Sequence, residues 1–299
     1  MQDSARLSLT SLMGGNILAY NADLLAEAGF DHPAALGNGW TWEAMMDMVR
    51  AIARDDDNDG APERWGNMGR VGLARILTFM LQAGGLPFDS YVAPKSADFL
   101  APGPREGARF AADLLHPSIG TENYWAFIDG DAGFIWIGVF PFAVELARLR
   151  FEPNALDYRV APWPIGPAGN RSTVMEVRGW QIMKETRYPD EAYEWLAFVH
   201  LNEERALRFA NVHGWIPASS RLHLTWLDSL GFTGVEREMI NAALETTVDP
   251  ANVPTPFGPG VLEVTNAWDR SFADVVAERV PLETFLEQMN EQARLYLAR

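Results

Sequence analysis

The sequence predicts an α/β fold whose C-terminal part is almost wholly helical. Hydrophobic residues make up 48% of the 299-residue chain and charged residues 21%, so the chain can bury a sizeable core. Short apolar runs typical of buried strands alternate with amphipathic helical patterns up to about residue 213. From Trp215 onward the apolar residues have the spacing of helices. Together these observations indicate a sheet covered by helices and extended by a helical segment.

The first half of the chain alternates strand and helix patterns. The run NILAY (16–20) predicts a buried strand, and the helix that follows it ends at Gly29. Thr41 supplies the hydroxyl cap of a helix that extends to about Arg54. Trp40 and Trp42 flank this cap, where a core role is expected. The further predicted elements are a loop over 55–64, helices over 73–83 and 105–115, a strand over 131–137, a helix up to 149 and a strand over 158–161.

The second half contains one long strand and then only helices. Residues 173–184 form the longest strand-like stretch, and two helices follow it before the break GWIPASS at 214–220. Two apolar stripes at helical spacing follow, one beginning at Val261 and one at Leu282. No internal repeat or low-complexity linker is present.

Composition excludes several classes of function. The chain has 24 basic and 40 acidic side chains, a formal net charge of −16, which disfavours binding to nucleic acid or to an anionic membrane surface. It has no cysteine, so disulfides and thiolate chemistry are excluded. The longest apolar run, 134–144, is too short to span a membrane and is expected in the core. The first residues lack the basic start and apolar stretch of a signal peptide.

Standard catalytic motifs are absent from the sequence. It contains no G-x-S-x-G, no P-loop, no G-x-G-x-x-G and no H-E-x-x-H, and no two of its five histidines are four residues apart. We therefore predict a protein that is not an enzyme. A glycoside hydrolase or lyase that uses paired carboxylates stays open as an alternative, because nothing singles out a pair among 40 acids.

Several segments resemble family 1 extracellular solute-binding proteins, which include the maltodextrin-binding type. The family pattern YYNKDLFEKAG…TWDE is matched in order by Tyr20, Asn21, Asp23, Leu24, Ala28, Gly29, Thr41, Trp42 and Glu43. Further matches follow in the family's order at 84–85, 127–138, 162–164, 188–199, 203–204 and 214–218. Each match is weak alone, and their shared order over nearly the whole chain carries the resemblance.

The resemblance implies a periplasmic-binding-protein-like fold of type II, with two α/β lobes and a solute cleft between them. Residues 16–176 and 215–299 would form the C-terminal lobe, and 177–214 the remnant of the N-terminal lobe with the crossing segments. The family's opening βαβαβ segment and signal peptide would precede Asn16 and are missing from this chain. A misplaced start codon, a cut chain or a remnant gene would each explain why they are missing. Solute binding by this chain is therefore expected to be impaired or absent.

The resemblance also implies a role and partners. The full-length parent would be a monomer in the periplasm or outside the cell that captures a sugar or polyol-like solute. It would deliver the solute to the permease subunits of an ATP-binding-cassette (ABC) importer, without a cofactor. A third hypothesis is a non-functional truncated lobe. A phosphate-bearing solute such as a glycerol phosphodiester would also suit the predicted site, whereas a polyamine or a metal would suit it less well.

Sugars are held by aromatic faces and by several converging polar groups. The family places a cleft tryptophan at the strand-to-helix turn where this chain has Phe140, and the nearby Trp136 would lie either in the cleft or in the core. In a strand with period two, Glu176, Arg178 and Trp180 share one face. That face would suit a hydroxylated ligand, or it would hold a solvated salt pair beside a core tryptophan.

Two further candidate sites follow from local pattern. Trp215 follows the second predicted crossing between lobes and is a candidate ligand contact. Asp55, Asp57 and Asp59, followed by Gly60, resemble the start of a calcium-binding loop with oxygen ligands at positions 1, 3 and 5. The glutamate expected at position 12 is absent, since Gly66 stands there. Calcium binding and a plain solvated turn both remain open.

Overall fold

The structure is a computed structural model that describes residues 8–60, 62–136, 140–151 and 156–298, with residues 8, 9 and 140–142 described by backbone alone. The strands are β1 (Ser8–Gly15), β2 (Leu18–Asn21), β3 (Trp65–Met68), β4 (Gly120–Thr121), β5 (Ala132–Ile135), β6 (Tyr158–Ala161), β7 (Val174–Gln181), β8 (Ile216–Pro217) and β9 (Val253–Pro254). The α-helices are α1 (Ala22–Glu27), α2 (Trp42–Ile52), α3 (Leu73–Gln82), α4 (Pro102–Leu115), α5 (Tyr124–Ile128), α6 (Phe140–Leu149), α7 (Pro189–His200), α8 (Glu203–His213), α9 (His223–Ser229), α10 (Gly234–Thr247), α11 (Val261–Val276) and α12 (Leu282–Leu297).

A five-stranded mixed sheet forms the centre of the molecule, in the order β4-β3-β5-β2-β6. Strand β3 pairs in parallel with β4 and β5, whereas β2 is antiparallel to β5 and β6. Leu18 and Tyr20 of β2 pack in one apolar cluster and Ala19 in the other. Because both faces of the sheet are covered, β2 is a continuous buried run rather than an alternating one. The predicted α/β class is confirmed.

One face of this sheet is covered by α2, α3, α4, α11 and α12, and the other by α5, α6, α9 and α10. The ring of Trp42 stacks on Phe110 with 4.0 Å between centroids, and its Nε1 donates to Gln82 Oε1 at 2.8 Å. Trp40 is fully buried. The core role predicted for both tryptophans is confirmed, and Thr41 caps α2 by accepting from the Ala44 N–H. No helix in the described ranges is long and apolar enough to cross a membrane.

A second sheet has the order β8-β1-β7-β9, with β1 and β7 antiparallel. The pairing shifts by one residue between Thr10 and Leu12, which is the signature of a β-bulge. Strand β7 begins with the buried Val174 and ends among exposed residues, from Val177 to Gln181. It therefore leaves the core along its length and carries its last residues to the surface.

Helices α7 and α8 are the least buried helices of comparable length. Leu196 is the buried residue of α7 and Ala210 that of α8, whereas α2 has six buried residues. If the lobe that the resemblance places before Asn16 is missing, Trp195 and Leu196 are expected to lack a partner surface. Trp195 is 53% exposed, although its ring lies 5.9 Å from that of Trp180. The expectation is wrong for Leu196, which is 5% exposed because α7 packs on α8.

Candidate functional site

Three of the predicted ligand-binding residues line one surface pocket. Arg178, Trp180 and Trp215 surround a pocket of about 330 Å³, together with Ser11 and Leu12 of β1 and two residues of α8. Arg178 also lines a second pocket of about 470 Å³, in which Glu176 takes part. The structure thus brings together four of the predicted residues, Glu176, Arg178, Trp180 and Trp215, around the exposed end of β7.

The pleat of β7 explains why these side chains meet. Glu176, Arg178 and Trp180 are two residues apart and so project from the same face of the strand. Opposite them on β1 lie Gly14, Leu12 and Leu9. The antiparallel pairing with β1 therefore fixes where the guanidinium and the indole leave the sheet.

Glu176 is shared by two arginines. Its Oε1 lies 2.8 Å from Arg75 Nη1, and its Oε2 lies 3.3 Å from Arg178 Nη2. Arg75, on α3, also donates to Asn16 Oδ1 at 2.8 Å. The side chains of Arg75 and Glu176 are 22% and 24% exposed, whereas that of Arg178 is 57% exposed. Glu176 is thus held by the more buried Arg75, and Arg178 is the most solvent-exposed member of this charged group.

Trp215 supports Arg178 and has little surface of its own. The Arg178 guanidinium lies 4.1 Å from the centroid of the Trp215 ring, a cation–π contact. A side chain at Gly14 would come within 2.7 Å of a carbon of the same ring. The indole is 7% exposed. Its ring therefore packs against the bare backbone of β1 and close to the guanidinium, so it offers a solute little surface.

Trp180 is the exposed aromatic face of the pocket. It is 41% exposed, and its ring lies 5.9 Å from Trp195, 5.9 Å from His200 and 6.4 Å from Phe209 between centroids. These contacts hold the indole while part of it stays open. Burial lowers the pKa of His200, which favours the neutral imidazole beside the indole.

Trp136 and Phe140 differ from the residues of β7. Trp136 is fully buried, with its ring 5.0 Å from Phe79, and Gly69 packs against it so closely that a Cβ there would lie 2.3 Å from indole carbons. Of the two placements that the sequence leaves open for Trp136, the structure shows the core. Phe140 is the first residue of α6, and its side chain lies outside the part that the structure describes.

The acidic loop brings a different set of carboxylates together than the sequence predicts. Ligand oxygens of Asp55, Asp57 and Glu63 lie within 4.8 Å of one another, and Asp59 is not in this group. The Asp55 and Asp57 carboxylates accept the N–H groups of Gly60 and Asp59, and Glu63 accepts that of Asp56. These bonds are those of a tight turn. Calcium binding by this loop stays a prediction.

Apart from Trp215, sequence reasoning missed the pocket residues outside β7. Phe209 and His213 come from the end of α8, Ser11 from β1, and Phe257 from the loop after β9. They are distant in sequence and meet only through the pairing of β1 and β7 and the return of the chain after α8. The strand pattern of β1 was the one signal that could have found Ser11, and the β-bulge obscures it.

The fold is that of the periplasmic-binding-protein-like class, and several solved structures of this fold are similar to the chain. Mycobacterium tuberculosis UspC matches with a TM-score of 0.72 and 21% identity, over 96% of this chain and 74% of that one. The substrate-binding protein Lmo0181 from Listeria monocytogenes, in complex with cycloalternan, has a TM-score of 0.74 and 17% identity over 96% and 71%. MalE of Bdellovibrio bacteriovorus, bound to maltotriose, has a TM-score of 0.70 and 15% identity over 96% and 72%.

The sequence itself places the chain in a family. The sequence model of bacterial extracellular solute-binding proteins matches residues 7–206. The chain therefore belongs to the bacterial extracellular solute-binding protein family, and the resemblance stated above is confirmed. No curated protein matches the chain.

Proposed function

We propose that this chain is the solute-capturing component of a carbohydrate ABC importer and binds a sugar or polyol-like solute at the end of β7. The observation that carries the proposal is the pocket in which the open Trp180 indole lies beside the Arg178 guanidinium. An aromatic face next to a planar hydrogen-bond donor is the combination that holds a sugar ring by its C–H surface and its hydroxyls. The solved relatives bound to maltotriose and cycloalternan support this class of solute.

The arrangement of the lobes is part of the same proposal. Residues 16–176 and 215–299 would form one lobe, and 177–214 would belong to the other, with β1 and β7 crossing between them. Closure of the lobes over the solute would then present it to the permease, because the solute stabilises the closed state by its differential affinity. We expect the protein to act as a monomer in the periplasm or outside the cell.

Capture is a better account of the pockets than hydrolysis. Among the described residues that line the two pockets, Glu176 is the single carboxylate, and Arg75 already holds it in an ion pair. Glycoside hydrolysis in its common form requires two carboxyl groups on opposite sides of the scissile bond. The paired-acid enzyme therefore has less support here than the binding protein.

Binding is tested by calorimetric titration of the chain with maltotriose and mannotriose, together with a chromogenic glycoside assay. We expect heat of binding without turnover. Trp180→Ala should raise Kd by about 3- to 10-fold, since an aromatic contact contributes roughly 0.5–1.5 kcal/mol beyond burial. Trp125→Ala is the matched control, because Trp125 is 63% exposed and lies outside both pockets.

Two results would contradict the proposal. Turnover of the chromogenic glycoside would favour the enzyme. A folded chain that shows neither heat nor a melting shift with a broad sugar library would favour the third hypothesis, a lobe without a ligand.

A further inference from the structure

The pocket around Trp180 carries a positive side chain although the protein as a whole is acidic. The chain carries a formal net charge of −16. Yet the described residues that line this pocket include the Arg178 guanidinium and no carboxylate. His213 and the Ser11 hydroxyl add further groups that can donate hydrogen bonds there. A locally basic opening thus lies on a chain whose net charge is strongly negative.

The positive charge of Arg178 is only partly compensated. Glu176 is its ion-pair partner at 3.3 Å, but the same carboxylate is bound more closely by Arg75, at 2.8 Å. Arg75 also lies within electrostatic reach of the Asp269 carboxylate. Arg178 is the most exposed of the three side chains, and its ion pair with Glu176 is the longer of the two. The Arg178 guanidinium is therefore the less compensated charge, and it lies at the pocket end of this group.

The guanidinium is also held in position. Its central carbon lies 4.1 Å from the centroid of the Trp215 ring, and that ring packs closely against Gly14. The Ser11 hydroxyl is 3.5 Å from the backbone carbonyl of Arg178. A planar guanidinium fixed in this way matches the two oxygens of a carboxylate or phosphate, which it can bind through two parallel hydrogen bonds.

We propose that the solute is an anionic sugar, with its carboxylate or phosphate bound by Arg178 and its ring against Trp180. This inference rests on the proposed function and narrows its solute class. The shared chemistry is a sugar-sized oxyacid, and a hexuronate and a sugar phosphate are its two sources. The anion would compensate the exposed charge of Arg178 without disturbing the pair between Glu176 and Arg75.

The test compares three probes that share one ring, D-glucose, D-glucuronate and D-glucose 6-phosphate, in calorimetric titrations of the full chain. We expect at least one of the two anions to bind about 10- to 100-fold more tightly than D-glucose, the range of a hydrogen bond to a charged group. The anion that binds more tightly shows whether the solute carries a carboxylate or a phosphate. Raising the salt concentration should weaken the binding of the anion and leave the affinity for D-glucose nearly unchanged.

Arg178→Gln should abolish the preference for the anion, and Arg178→Lys should keep part of it, because lysine retains the charge but not the planar fork. Arg205→Gln is the matched control, since Arg205 also stacks on an aromatic ring, that of Phe198, but does not line the pocket. The ratio of the two affinities is measured within each variant. A partial loss of folded protein therefore does not affect it.

The outcomes separate the two proposals. Equal affinity for all three probes, or a preference that survives Arg178→Gln, overturns the anionic solute and leaves sugar capture standing. A folded chain that binds none of the three probes and no maltotriose overturns both.

Discussion

At the scale of single residues, the support beneath Arg178 is the feature with the clearest consequence. Trp215 can lie close against β1 because residue 14 has no side chain, and the Arg178 guanidinium lies 4.1 Å from the centroid of the same ring. The pocket geometry thus depends on a glycine that itself contacts no solute. Local packing likewise decides whether a tryptophan of this chain is buried in the core or open to solvent. Trp136 is enclosed by Phe79 and Gly69, whereas Trp180 extends from a strand end that has left the core.

Gly14→Ala tests this dependence. The new Cβ would lie 2.7 Å from a Trp215 ring carbon, so the indole and the guanidinium above it have to shift. We expect a loss of about 1–3 kcal/mol in the free energy of unfolding, as for other overpacked sites, measured by urea denaturation. Gly39→Ala is the control, because the nearest atom to its added Cβ is 4.0 Å away. Equal stability of the two variants would contradict the packing described here.

Asp157 gives a prediction that depends on pH. Burial raises the pKa of Asp157, but hydrogen bonds and charge from Arg159 and Arg150 outweigh burial, so the pKa lies below its ordinary value. A lowered folded-state pKa stabilises the fold at neutral pH, and this contribution is lost as the pH falls through that pKa. Asp157→Asn should therefore lower the melting midpoint at pH 7 and have a progressively smaller effect below about pH 4. A deficit that is constant from pH 7 to pH 3 would show that the charge is not responsible.

At the scale of elements, sequence pattern predicts the strands and helices that carry apolar periodicity. Strand β6 matches its predicted bounds, and α2 begins directly after its predicted cap at Thr41. Strand β1 was missed because its bulge interrupts the period of two and because Gly14 and Gly15 carry no side chains. For the site, the period of two correctly grouped Glu176, Arg178 and Trp180. The period of two could not predict that residues of α8 line the pocket, because they reach it only through tertiary packing.

Hydrogen exchange should reveal a difference between helices α2 and α7. The two are nearly equal in length, but α2 buries six residues and α7 buries Leu196. Helices with few buried contacts open at a small free-energy cost. We expect the amides of α7 to exchange much faster than those of α2, measured by exchange with mass spectrometry under native conditions. Equal protection of the two helices would indicate that α7 is stabilised by something other than its buried contacts.

At the scale of the whole molecule, the chain combines a well-covered body with one apolar surface that is open. Tyr188, Trp195 and Phe198 of the α7 region are 65%, 53% and 59% exposed. Clusters of exposed aromatic residues of this kind mark interaction surfaces, whereas exposed apolar residues that occur singly are ordinary.

The open surface should bind the dye ANS in the native state. The double change Trp195→Ser with Phe198→Ser is expected to lower ANS fluorescence at least about twofold while it leaves the melting midpoint of the body nearly unchanged. Leu224→Ser with Leu262→Ser is the control, because these two residues are exposed to a similar degree, 71% and 67%, on separate helices. If the control pair lowers the fluorescence as much, the surface has no special role.

The path of β7 has a practical consequence for redesign. Its first residue, Val174, is anchored in the main apolar cluster, and its last residues are in contact with solvent. Under the proposed function, stability and recognition would therefore depend on opposite ends of one strand. A library of variants limited to residues 177–181 could retune the choice of solute with little loss of stability, because surface substitutions usually change the free energy of unfolding by less than about 0.5 kcal/mol.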